Sequence, residues 1–164
     1  MSTGMIWQTS STSSADTERL GELLGSQLKG GDIIELRSDL GGGKTTFVRG
    51  LAKGAGSQDR VSSPTFTLSR VYKTKDFEIY HFDFYRLDDP GILKDQLAEA
   101  VQAKSVVVVE WAGIVKDVLP KERITIEFKP TANSPDEREV AFTYSANYRP
   151  AIVFAESNYG DERP

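Results

Sequence analysis

The sequence predicts an α/β fold: a central, mostly parallel sheet with helices on both faces and an antiparallel hairpin. Three observations carry that expectation. The glycines Gly41, Gly42 and Gly43 stand between a short apolar run, Ile33, Ile34 and Leu36, and a segment with helical spacing, Phe47, Val48, Leu51, Ala52 and Ala55. Four consecutive valines, Val106 to Val109, end in Glu110, and an all-apolar run of that length suits a central strand buried on both faces. Two stretches rich in aromatic and branched residues, 68–73 and 77–85, flank Lys75 and Asp76 and read as a hairpin.

The chain of 164 residues is long enough for one domain with a real core. We place that domain at 1–147 and expect 148–164, which shows no clear period, to be a flexible tail. With 20 basic and 24 acidic side chains the net charge is −4, which argues against a surface that binds nucleic acid unaided. Cysteine is absent, so disulfides, thiolate metal sites and cysteine nucleophiles are excluded, and the single histidine, His81, excludes a histidine-rich metal centre. No apolar run approaches 18 residues, and the first residues lack the basic and apolar regions of a signal peptide. A cytoplasmic protein is the expectation.

In chain order, Met5 to Thr9 reads as a first strand. Ser10 to Ser14 suits a turn and a helix cap, with Ser13 and Asp16 at capping-box spacing, although a ligand contact would use the same hydroxyls. Leu20, Leu23, Leu24 and Leu28 then recur on one helical face that Gly30 and Gly31 would close.

Leu36 to Thr46 is the stretch the rest is organised around. A glycine loop between strand and helix is the context of a phosphate-binding loop, because unobstructed backbone N–H groups and the positive end of the helix dipole converge on one anion. The expected phosphate-binding residues are Leu40, Gly41, Gly42, Gly43, Lys44, Thr45 and Thr46. Lys44 would reach the β and γ phosphates of a nucleoside triphosphate, and the Thr45 hydroxyl would ligate the Mg²⁺ they carry. Ser38 stands where the pattern G-x-x-x-x-G-K-[ST] has its first glycine, and a serine is strained there if the backbone needs a positive φ. The alternative is a glycine-rich turn with Lys44 and Thr45 as ordinary solvated residues.

Val61-Ser62-Ser63-Pro64-Thr65-Phe66-Thr67 reads as an extended loop, because Pro64 restrains itself and Ser63. It is either a hydroxyl-rich connector or a segment that carries a hydroxyl, such as that of Thr65, to a γ-phosphate. In His81-Phe82-Asp83-Phe84-Tyr85, alternation sends Phe82 and Phe84 to one side and His81, Asp83 and Tyr85 to the other. Asp83 could orient water or a magnesium-bound oxygen there, or the polar face could simply meet solvent. Asp88-Asp89-Pro90 is a helix start, and the helix should run to about Val101. Glu110, at the carboxyl end of the valine strand, lies where open α/β sheets bind ligands, and it is either the second acid of a phosphate-loop nucleotidase or a plain strand end. Trp111 suits packing. Ile124 to Phe128 and Val140 to Tyr144 read as two paired strands across a polar loop.

Four motifs, S-D-L-G-G-G-K-T-T-F-V-R-G, S-S-P-T-F-T-L, Y-H-F-D-F-Y-R-L and V-V-V-V-E-W, in that order over roughly residues 5–128, resemble the TsaE family, the bacterial ATPase component of tRNA threonylcarbamoyladenosine biosynthesis. The resemblance implies a P-loop NTPase-like three-layer fold that binds ATP and Mg²⁺. It implies a Mg-dependent ATPase, weak alone, that supports repeated turnover of the TsaD–TsaB threonylcarbamoyl transferase pair, with tRNA met only through that complex and the isolated chain a monomer. It also implies roles: Lys44 and Thr45 as phosphate and Mg²⁺ ligands, Ser63 to Phe66 as a switch-like loop with Thr65 near the γ-phosphate, Asp83 as an essential acid, and Glu110 with Trp111 as the Walker B-like element, Glu110 serving both catalysis and metal. Ser38 and Gly42 depart from the usual G-D-L-G-A-G-K-T. A small nucleoside or metabolite kinase and a nucleotide-sensing subunit with weak hydrolysis are the alternatives; no arginine-dense insertion follows Glu110, and the N-K-x-D signature of GTP switches is absent.

Overall fold

In the computed structural model, which describes residues 4–38, 43–64, 67–85, 87–89 and 91–161, strands and helices alternate along the chain. They are β1 (Met5–Ser11), α1 (Ser14–Gly25), β2 (Ile33–Arg37), α2 (Lys44–Gly54), β3 (Ser69–Lys73), β4 (Glu78–Asp83), α3 (Gly91–Gln102), β5 (Val106–Glu110), β6 (Ile124–Pro130), β7 (Arg138–Tyr144) and α4 (Arg149–Asp161). The seven strands form one sheet in the order β1-β7-β6-β2-β5-β4-β3. Its centre is parallel, with β2 between β5 and β6 and β4 beside β5. Both flanks are antiparallel, through the β3–β4 hairpin on one side and β6–β7–β1 on the other.

Side-chain alternation divides the core into two layers. Ile34 and Leu36 of β2, with Val106 and Val108 of β5, pack against Leu20, Leu24, Phe47, Leu51 and Ile152 from α1, α2 and α4. Ile33, Val107 and Val109 face the other way, onto Phe82, Phe84, Leu93, Leu97 and Val115. Every residue of β5 is buried, which is why its valines show no polar alternation. The fold is therefore the expected three-layer α/β arrangement.

Glycines set how closely α1 and α2 approach. A Cβ on Gly50 would stand 1.9 Å from the Glu18 carbonyl oxygen, and one on Gly21 would stand 2.2 Å from that of Phe47. Gly25 and Gly54 are as tight, at 2.1 Å from Leu51 O and 2.0 Å from Glu22 O. The two helices thus touch backbone to backbone, and the start of α2 is fixed relative to α1 without intervening side chains.

Caps and ends differ from expectation at both ends of α1. Ser13 caps α1 by accepting from Asp16 N at 3.1 Å, but Asp16 reaches back to Thr12 N at 3.0 Å, one residue before the cap. The helix closes at Gly25 rather than at Gly30 and Gly31, with Ser26 as its C-cap. At the start of α3, Asp89 Oδ1 accepts from Gly91 N at 3.0 Å; the expected first residue, Pro90, lies outside the described residues.

The expected loose tail is corrected by α4. Ile152, Ala155 and Tyr159 are buried on the sheet, Tyr159 donates its hydroxyl to Ser10 O at 2.6 Å, and its ring meets Trp7 edge-on at 6.5 Å. These three apolar contacts recur at spacings of three and four, a helical period spread too thinly among polar residues to stand out in the sequence.

Candidate active site

The parallel strands β2, β4 and β5 end on the same edge of the sheet, and their last residues build the site. Register pairs Leu36 with Glu110 and Asp83 with Glu110, so the two acids are cross-strand neighbours beside the strand that leads into the glycine loop. Both are buried, Asp83 at 2% exposed and Glu110 at 3%. This is the crevice beyond the carboxyl ends of strands where open α/β sheets hold ligands.

Gly43 precedes α2 with φ 99°, a left-handed conformation that favours glycine and turns the chain abruptly into the helix. Among the described residues no side chain caps α2 at Gly43, which leaves first-turn backbone amides that could meet an anion. Lys44 is the first residue of the helix and is only 7% exposed, which rules out the alternative of a solvated surface lysine. Its ammonium donates to Ser38 O at 3.1 Å, stands 3.7 Å from Glu110 Oε1 and lies 4.8 Å from the centre of the Trp111 ring. A buried ammonium is stable only where carbonyl, carboxylate and ring replace its water. Ser38 is not among the non-glycine residues of positive φ, so serine at that position carries no backbone strain.

Trp111 follows Glu110 at φ 58° and ψ 52°, strained for a bulky residue. Its ring packs on Tyr85 at 4.9 Å, and its buried Nε1 has no hydrogen-bond partner among the described residues. Asp83 accepts from Tyr85 N at 2.9 Å and donates its own N–H to Leu68 O at 3.0 Å.

Behind Glu110 lies a chain of hydrogen bonds that the sequence does not advertise. Glu110 Oε2 is 2.5 Å from His81 Nε2, His81 Nδ1 is 3.3 Å from the Tyr72 hydroxyl, and that hydroxyl donates to Ser62 O at 3.0 Å. The Ser62 carbonyl only accepts, so the Tyr72 hydroxyl donates to it, and the His81 tautomer sets the direction of the two ring contacts. Burial pushes the Tyr72 phenol above its ordinary pKa, with the Ser62 contact pulling the other way. Tyr72 is the functional candidate that sequence reasoning missed. Its signal is diagonal pairing: β3 places Tyr72 opposite Ile79, two residues from His81 on the same face.

Two cavities lie near this edge of the sheet. One, of about 650 Å³, is lined by Thr45, Arg49, Lys53 and the Val61–Ser63 loop. The other, of about 270 Å³, lies on the α3 side between Glu35, Arg37, Ser38, Trp111 and Lys116. Glu35 in its wall is 3% exposed and is held by Arg37 Nε at 2.7 Å and Arg123 Nε at 3.0 Å.

Of the expected site residues, the fold brings Gly43, Lys44, Thr45, Thr46, Asp83 and Glu110 to one edge of the sheet. Leu40, Gly41, Gly42, Thr65 and Phe66 lie outside the described residues. Val61 and Pro64 are buried, so this loop is not a free surface connector. His81 and Asp83 are likewise buried rather than facing solvent.

With this geometry in hand, similarity to known proteins decides the family. The sequence profile described as threonylcarbamoyl adenosine biosynthesis protein TsaE matches residues 11–140. The chain belongs to the TsaE family. A TsaE described as a tRNA threonylcarbamoyladenosine biosynthesis protein in Bacillus subtilis is 39% identical over 133 residues, 80% of this chain and 82% of that protein. The one in Treponema pallidum is 40% identical over 132 residues, 80% of this chain and 97% of that protein. The crystal structure of Bacillus subtilis YdiB superposes with a TM-score of 0.77 at 30% identity, covering 96% of this chain and 99% of that one. The family membership places this chain in tRNA threonylcarbamoyladenosine biosynthesis. Among the described residues no helix is long and apolar enough to cross a membrane.

Proposed function

We propose that this TsaE chain binds ATP with Mg²⁺ and hydrolyses it, and that hydrolysis supports turnover of the TsaD–TsaB transferase pair. The observation that carries the reading is the buried Lys44 ammonium held 3.7 Å from Glu110 at the start of α2, where Gly43 offers no capping side chain. A lysine kept there at the cost of its hydration has a use for an anion, and triphosphate oxygens are the anion such a helix start accepts.

The donor set fits Mg²⁺ rather than a metal that needs a protein cage. No cluster of three or more acidic, histidine or cysteine ligands occurs among the described residues, and Mg²⁺ takes one or two carboxylates with substrate phosphates and water. The Thr45 hydroxyl and the Glu110 carboxylate are the groups that would hold it, and the ion would supply neutralisation of charge on the phosphates. Lys44 would exchange its contact with Ser38 O for phosphate oxygens. Asp83, fixed through Tyr85 N, would orient the attacking water, and little covalent chemistry is asked of the protein.

Calorimetric titration with MgATP tests the binding half directly. Lys44→Ala should weaken affinity by about a hundredfold, the loss of a charge-assisted hydrogen bond in a buried site. Equal affinity of the variant and the parent would remove Lys44 from the phosphate site.

A further inference from the structure

The loop Val61–Pro64 is fastened at two points, and one fastening leads to Glu110, the other to Asp83. At Ser62 the carbonyl oxygen accepts from Tyr72, which is bonded through His81 to Glu110. At Pro64 the carbonyl oxygen accepts from Leu68 N at 2.6 Å, and Leu68 O accepts from Asp83 N at 3.0 Å. Leu68 adopts φ 69° to make both bonds, an uncommon conformation for a leucine. Ser62 and Ser63 line the same cavity as Thr45, so the loop between the fastenings borders the start of α2.

We propose that Tyr72 and His81 are positioning residues that couple this loop to Glu110, so that the loop and the acid shift together when the phosphate end of a nucleoside triphosphate enters. The inference rests on the ATP reading for what triggers the shift, but the coupling itself belongs to the chain. His81 is fully buried and sits at the middle of the link, with Tyr72 2% exposed beside it. Neither ring has solvent to turn to. Any movement of Glu110 toward a ligand therefore pulls His81, loosens its contact with the Tyr72 hydroxyl, and changes the hold on Ser62. Tyr72 and His81 are packed closely enough for sub-ångström shifts to pass from one to the next.

The test is a double-variant cycle read by amide hydrogen exchange at Val61, Ser62 and Ser63, in the whole chain without ligand. Tyr72→Phe removes the hydroxyl and keeps the ring; Glu110→Gln keeps the shape and alters the pairing with His81. Each should speed exchange in the loop about tenfold, the effect of losing one buried hydrogen bond, and the double variant should be no faster than either single one. Exchange in α1 and α4 should stay unchanged in all three, which marks the effect as local rather than a loss of fold. Parental exchange in Glu110→Gln, or multiplied effects in the double variant, would overturn the coupling. With turnover measured beside the transferase pair, Tyr72→Phe should lower kcat about tenfold and leave KM for ATP within about twofold, since the hydroxyl orients the acid and touches no nucleotide. An unchanged kcat would also overturn it. Should the parent chain bind no ATP, the ATP reading fails alone, and the ligand-free exchange cycle still decides the link.

Discussion

Glu35 shows how a single residue is settled by competing electrostatic effects. Burial in β2 pushes its carboxyl upward, but the guanidinium groups of Arg37 and Arg123 together pull harder and hold it below the ordinary glutamate value of 4.5. A depressed native pKa contributes stability that is complete above the unfolded value and is lost as the pH falls through the native one. Urea unfolding should therefore find Glu35→Gln less stable than the parent by about 2 kcal/mol at pH 7, with the gap closing as the pH drops below 4.5. A gap that stayed constant with pH would mean that packing, not charge, is what Glu35 supplies. Asp32 nearby is shifted the other way, raised by burial against the pull of Lys29, and it is common to both proteins, so it cancels in the difference. At this scale the sequence pointed to the buried residues at the sheet edge unevenly. Lys44, Asp83 and Glu110 were legible because each follows or ends a recognisable run. Tyr72 and the Glu35–Arg123 pair were not, because 88 residues separate Glu35 from Arg123 and nothing local announces their meeting.

Helices α1 and α2 raise the question of why α2 carries Gly50 in its body, where glycine costs about 1 kcal/mol against alanine, and Gly54 at its last position. The answer is the helix beside it: the missing side chains let α2 lie on the backbone of α1 at Glu18 and Glu22. Gly50→Ala should cost about 2 kcal/mol net, since overpacking near 3 kcal/mol against a backbone oxygen outweighs the gain in helix propensity of about 1 kcal/mol. Gly113→Ala, where nothing lies within 4 Å of the new Cβ, is the matched control and should be close to neutral in thermal unfolding. Equal melting temperatures for the two variants would show that the helices can separate without cost. The glycine spacing was visible in the sequence, yet its meaning depends on which two helices the sheet brings together. The hairpin and the valine strand, by contrast, were legible because alternation and unbroken apolarity report burial directly. The last helix was missed because its apolar stripe is narrow and sits among polar residues.

Across the whole molecule, the order of strands is what assembles the site. The chain passes from β2 through α2 on one face of the sheet to β4, then returns through α3 on the other face to β5, which lands between β2 and β4. That reversal sets Asp83 and Glu110 side by side at the carboxyl edge, next to the start of α2, although 27 positions part them in sequence. The α/β class could be foreseen from local patterns. The placement of the two acids could not, since periodicity identifies strands without ordering them.

The proposed role is a property of the molecule in its complex, and turnover in that complex tests it most directly. ATP hydrolysis should be measured for the parent chain, Asp83→Asn and Glu110→Gln, each alone and with the TsaD–TsaB pair. The parent should hydrolyse ATP slowly alone and faster with the pair, and each acid variant should lose at least about a hundredfold in kcat while still binding ATP. Parental turnover by Asp83→Asn and Glu110→Gln within the complex would contradict the account, because the two acids that the fold brings together would then have no part in the chemistry.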